Sequence, residues 1–187
     1  MLNPSQRKLL MLFAVFAVPV ALAYGLFFLW TPSGQVNYGE LLAPRPLPDP
    51  VLRDIEGRAF SLSQLRGKWL LVQWDSGACA ERCRQKLYFM RQVRLAQGKD
   101  MMRVERVWLL DDDRRPASEL VSDYAGTWIV DAEGSALRQY FPAPGGPRDH
   151  VYLVDPLGNL MLRFPADPDP RLMVKDLGRL LRVSRAG

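Results

Sequence analysis

Two cysteines and a single histidine carry most of the reactive chemistry in this chain of 187 residues. Cys79 and Cys83 stand at i and i+4, a spacing that puts two side chains on one face of a helix. At a helix N-terminus the free N–H groups and the helix dipole favour a thiolate, the form that attacks disulfides and binds soft metals. Arg82 and Arg84 add positive charge nearby, and Glu81 opposes it. Two plainer readings remain open: a structural disulfide, or a pair of inert buried thiols. An oxidising compartment favours pairing, yet a bridge around three intervening residues removes little entropy from the unfolded chain. With only His150 to add, a Cys and His set offers at most three ligands. A closed structural zinc site wants four, whereas two thiolates and one imidazole suit Cu(I). His150 is therefore a candidate ligand or catalytic neighbour of the pair, with Asp149 placed to orient it; the alternative is a surface or strand-edge histidine.

The elements that must position these groups are legible along the chain. Trp69-Leu70-Leu71-Val72-Gln73-Trp74 is an apolar run bounded by Gly67-Lys68 and Asp75-Ser76-Gly77, the pattern of a buried central strand. A helix is expected from about Ala80 to Ala96, ended by Gly98. Val51 to Phe60, turning at Gly57, reads as a short hairpin, and Ser61 to Leu65 as one helical turn. A strand is expected over Val104 to Leu110. A helix follows over Ala117 to Tyr124, with Pro116 near its start. Trp128 to Val130 reads as a short strand and Ser135 to Tyr140 as a short helix. Val151 to Val154 and Asn159 to Phe164 form a hairpin across Asp155-Pro156-Leu157-Gly158, and Arg171 to Val183 closes the chain as a helix. Strands alternating with helices, then a hairpin and a helix, predict an α/β sandwich. In that fold the loop entering the strand at Val151 passes beside the strand-to-helix junction, which is why His150 is expected near the cysteines. Asp111-Asp112-Asp113 reads as a solvated loop, with cation binding the rival.

The first thirty residues have another purpose. Leu9 to Trp30 carries no charged residue, about 22 residues or roughly 33 Å of helix, enough for a hydrocarbon core of about 30 Å. Arg7 and Lys8 precede it and no charge follows until Glu40, so the positive-inside rule places the N-terminus in the cytoplasm and the bulk of the chain outside. Ala21-Leu22-Ala23 resembles a signal-peptide cleavage site, but the apolar run continues through Trp30, which favours an uncleaved anchor. The organisation expected is a cytoplasmic N-terminus (1–8), a transmembrane anchor (9–30), a Pro-rich linker (31–50) and one α/β domain (51–187). The expected location is a bacterial inner (cytoplasmic) membrane, single-pass, with the domain in the periplasm. Net charge is +5, but Lys and Arg are spread along the chain without a dense run, which argues against nucleic acid as a partner.

Several blocks together resemble a known family. Gly57, Phe60, Ser61, Leu62, Leu65, Gly67-Lys68, the strand to Trp74 and then Cys79-Ala80-Glu81-Arg82-Cys83 resemble the opening of thioredoxin-like proteins. The three-residue spacer is similar to that of the Sco/SenC copper chaperones. Leu110-Asp111-Asp112-Asp113-Arg114-Arg115-Pro116, Asp149-His150 and Tyr152-Leu153-Val154-Asp155-Pro156-Leu157-Gly158 resemble further blocks of that family. The resemblance covers roughly residues 50–183. It departs at Ala80 and Arg84, where the family carries Pro, and at His150, which lies two residues before Tyr152 rather than about five. That offset is about 10 Å of strand at about 3.3 Å per residue. The resemblance implies a thioredoxin fold with a membrane anchor. It implies Cu(I) bound by Cys79, Cys83 and His150. It also implies a role in assembling the copper centre of cytochrome c oxidase subunit II, by delivering copper or by reducing that protein's cysteines. Three functions follow as alternatives: a Sco-like assembly factor, an extracytoplasmic thiol-disulfide oxidoreductase working through Cys79 and Cys83, and a non-catalytic assembly protein on a degenerate thioredoxin fold.

Overall fold

The computed structural model describes residues 3–29 and 37–184, in two units, Met1–Val36 and Asn37–Gly187. Trp30 and the start of the expected linker, 31–36, lie outside the described residues. In the first unit α1 (Pro4–Leu29) is apolar on every side from Leu9 onward, with Pro19 inside it. Its large side chains, Phe13, Phe16 and Phe27 among them, are exposed. A helix that is apolar all round and not packed in a core is suited to lipid, and α1 is long and apolar enough to cross a membrane.

The second unit is built on one eight-stranded mixed sheet. Its strands are β1 (Glu40–Pro46), β2 (Leu52–Asp54), β3 (Ala59–Phe60), β4 (Trp69–Asp75), β5 (Val104–Leu110), β6 (Thr127–Asp131), β7 (Val151–Val154) and β8 (Asn159–Arg163). Their spatial order is β1-β8-β7-β4-β5-β6-β2-β3. β4 lies inside the sheet, parallel to β5 and antiparallel to β7. It is buried along its whole length, which is why its sequence is a continuous apolar run rather than an alternation. Alternate residues nevertheless face opposite ways. Leu70, Val72 and Trp74 join Phe60, Leu137, Phe141 and Tyr152 in one core. Trp69 and Leu71 join Met90, Val93, Met173 and Leu177 in another. The second core lies under α2 (Glu81–Leu95) and α4 (Pro170–Val183). A short helix, α3 (Ser118–Asp123), connects β5 to β6.

Most expected elements are present to within a residue or two at each end. The Pro-rich stretch differs. Glu40 to Pro46 is an edge strand paired antiparallel to β8, with a register irregularity between Leu41 and Arg45. Prolines are compatible with an edge, where one row of N–H groups has no neighbour to bond. This part of the expected Pro-rich linker is thus a strand of the sheet. Ahead of it, Gly39 N donates to the buried carboxylate of Asp176 at 2.8 Å, fastening this strand to α4.

Candidate functional site

Where β4 ends, the chain makes a short loop and enters α2. Cys79 sits in that loop and Cys83 in the first turn of the helix, so the pair straddles the helix start rather than lying wholly within it. Cys79 has φ of +41°, the one positive φ among the described non-glycine residues. That left-handed conformation costs an L-residue on the order of 1–2 kcal/mol, and such strain is found where a site holds its groups in place. The turn folds Cys79 back over α2. Its N–H donates to Ser76 O at 3.0 Å, and Arg84 Nε donates to Cys79 O at 3.3 Å. The two cysteines are joined as a disulfide, with Cα atoms 5.0 Å apart. Both sulfurs are buried in a small apolar cluster with Leu87, Trp108, Leu110, Leu120 and Ile129.

One polar side chain reaches the pair from below. Gln73, on β4, donates from Nε2 to Cys83 Sγ at 3.5 Å. The sequence offered a signal for it: it is the single polar residue in the run Trp69 to Trp74.

The loop after β5 is latched onto the cysteine loop. Gly77 N donates to Asp112 Oδ1 at 2.9 Å. A Cβ at Gly77 would stand 1.8 Å from Arg114 O, so only glycine allows this approach. Burial raises the pKa of Asp112, but hydrogen bonds from Ser76, Gly77 and Arg114 and the charge of Arg148 outweigh that and hold its carboxyl below the ordinary value. Asp111 corrects the expectation of a solvated acidic loop. Its carboxylate is buried between Arg138, at 2.6 Å, and Arg148, which grips both oxygens at 2.7 and 2.6 Å. That hydrogen bonding holds the Arg148 guanidinium above its ordinary value. Lys86 is buried as well, with Nζ 2.7 Å from Asp75 Oδ2 and bonded to the carbonyls of Trp74 and Arg148. Burial pushes its ammonium below the ordinary lysine value, and Asp75 pulls it partly back.

His150 is placed elsewhere. Its Nδ1 lies 2.7 Å from Phe164 O. A carbonyl only accepts, so Nδ1 carries the hydrogen. The ring lies 6.1 Å from that of Tyr152, across centroids. Tyr152 belongs to the core opposite α2. Gln73, beneath Cys83, is instead paired with Val151, one residue along from His150. Continued alternation through the extended backbone of His150 therefore points it to the face of Tyr152, not to the face on which Gln73 meets Cys83. Among the described residues no three of His, Cys, Asp and Glu gather where they could hold a metal. The three-ligand copper set of Cys79, Cys83 and His150 does not fit this arrangement. A disulfide also offers no thiolate, so the pair can take a metal only after a two-electron reduction. What the oxidised pair can do as it stands is accept a thiolate.

This geometry agrees with what the chain is similar to. Residues 69–184 match the family described as transmembrane-like, thioredoxin-like, C-terminal domain, well over half of the chain, and the protein belongs to that family. No curated protein matches the sequence. Among solved structures, yeast Sco1 with copper bound is similar at a TM-score of 0.64 and 16% identity, over 76% of this chain and 96% of that one. ScoI of Bradyrhizobium japonicum with copper bound is similar at 0.55 and 20%, over 72% and 99%. The thioredoxin domain of a thiol-disulfide oxidoreductase from Bacteroides vulgatus is similar at 0.55 and 18%, over 75% and 99%. At such identities the likeness is one of fold: a thioredoxin-like sheet, as expected from the sequence, shared by copper-binding and thiol-exchanging proteins alike.

Proposed function

We propose that this chain is a single-pass membrane protein whose thioredoxin-like domain works outside the cytoplasm, exchanging thiols and disulfides with a partner protein through Cys79 and Cys83. The observation that carries this is the closed Cys79–Cys83 disulfide at the strand-to-helix junction. A partner thiolate attacks one sulfur of the pair, the intramolecular S–S bond breaks, and the displaced cysteine leaves as a thiolate. A second partner thiol resolves the mixed disulfide. Two electrons pass to the pair and the partner ends as a disulfide; the reverse sequence reduces a partner. The test uses the full chain in detergent, equilibrated with glutathione at graded poise. Reversible two-electron exchange, lost in Cys79→Ser and in Cys83→Ser, is the expected result. A pair that stays oxidised across the whole range would overturn the reading.

A second reading has the three-residue spacer in its favour, the feature that resembles the Sco/SenC proteins. On it the reduced pair carries Cu(I) as cargo on two thiolates alone, and cytochrome c oxidase subunit II is the partner. Two soft thiolates suffice for Cu(I). Since His150 faces away, His150→Ala is expected to leave the Cu(I) stoichiometry and affinity of the reduced chain unchanged, measured by competition with a chromophoric chelator. A loss of tenfold or more would return His150 to the site. The third alternative, a non-catalytic assembly role, is tested in cells by Cys79→Ala and Cys83→Ala, which leave assembly intact on that reading alone.

A further inference from the structure

Gln73 has no exposed surface. A buried amide costs about 1–3 kcal/mol for each group left without a partner. Its Nε2 reaches Cys83 Sγ at 3.5 Å, and its Oε1 is buried with no partner at all. Among the described residues no other side chain donates to either sulfur. The sulfur it reaches is the one inside α2, in the first turn, where the free backbone N–H groups also favour negative charge.

We propose that Gln73 is a positioning residue that selects Cys83 as the leaving thiolate when the disulfide is opened at Cys79. This rests on the thiol-exchange reading above. A disulfide sulfur is a weak acceptor and a thiolate a strong one, and hydrogen bonds to a charged partner are roughly twice as strong as neutral ones. The bond therefore strengthens as charge arrives. When a partner thiolate attacks Cys79 Sγ, the Cys79–Cys83 bond breaks and its electron pair passes to Cys83 Sγ, where the Nε2–H already points. The products are a mixed disulfide on Cys79 and a thiolate on Cys83, and no further reactant is consumed. When Cys83 later takes a proton, a half-turn of the amide offers the idle Oε1 to the S–H. Both reduced forms gain a partner, while the oxidised form gains little. Gln73 thus biases the pair toward reduction.

The test compares wild type with Gln73→Leu and Gln73→Met, both apolar and of similar size, and with Gln73→Glu, all as full chains in detergent. The readouts are the ultraviolet thiolate absorbance against pH and the equilibrium with glutathione. In the two apolar variants the Cys83 thiol is expected to titrate about one unit higher, and the equilibrium to move about tenfold toward the disulfide, about 30 mV for a two-electron couple. Gln73→Glu is expected to raise the thiol further, because its carboxylate opposes a thiolate. A glutathione adduct trapped on Cys79 supports the assignment. Trapping on Cys83, or folded apolar variants with wild-type pH profile and equilibrium, would overturn it. If wild type itself did not exchange with glutathione, the exchange reading would fall first.

Discussion

At the scale of single residues the site is held by groups that do no chemistry themselves. Asp112 receives the Gly77 N–H and keeps the loop after β5 against the cysteine loop. Its folded pKa is depressed, so its contribution to stability is fully present above the unfolded carboxylate value of about 3.9 and is lost as pH falls through the folded value. Asp112→Asn is therefore expected to lower stability at pH 7 and to flatten the acid limb, so that variant and wild type converge as pH falls through the folded value, as read by denaturant unfolding at a series of pH values. Lys86 and Asp75 form the other anchor. Their burial makes the pair costly to break, since either partner alone would be a charge without compensation. Cys83, Gln73, Asp75 and Lys86 make a polar seam between β4 and α2. Of these, the cysteine announces itself by type. Gln73 is visible as an interruption of an apolar run, but the lysine at the seam looks like any solvated helix residue until its neighbours are placed.

At the scale of elements, α3 adds a side chain to the cluster that holds the pair. It is only six residues long, and Leu120 is the residue it buries in the cluster that encloses both sulfurs. A disulfide so enclosed is reached by a large thiol when that cluster opens, and short helices with few apolar anchors open readily. Leu120→Ala removes a contact of about 2–5 kcal/mol in a well-packed site. It is expected to speed reduction by dithiothreitol severalfold, with the wild-type rate levelling off as reductant rises because opening becomes limiting. A rate proportional to reductant throughout, and unchanged by Leu120→Ala, would show that the sulfurs are reached without this motion. The strand-to-helix junction itself was readable in the sequence, from the β4 run followed by the helical segment. The left-handed turn at Cys79 was not, because nothing in its neighbours' types demands a positive φ at a non-glycine residue.

At the scale of the whole molecule, the fold joins an apolar helix to a thioredoxin-like domain whose chemistry depends on which side of a membrane it occupies. Arg7 and Lys8 lie in α1 ahead of its apolar stretch, and on the proposed orientation, with the domain outside the cytoplasm, the positive-inside rule makes them its determinant. Arg7→Glu together with Lys8→Glu is expected to leave a substantial fraction of the chain inverted, seen as C-terminal domain protected from protease added outside spheroplasts. Complete accessibility in the variant would mean that the two charges do not set the orientation. The sequence by itself determined the apolar helix, the order of strands and helices from β2 onward, and the arrival of a cysteine pair at the end of a central strand. Each of these depends on local periodicity and on residues adjacent in the chain. Only the tertiary structure decided that His150 faces the side of Tyr152 and not that of Gln73, that Asp111 is buried between two arginines, and that Gln73 reaches Cys83. Those outcomes turn on strand register, where a shift of one residue exchanges the faces of the sheet. The chain brought two of its three reactive residues together because they are four apart at one helix start. It parted the third because its place was set by the parity of another strand.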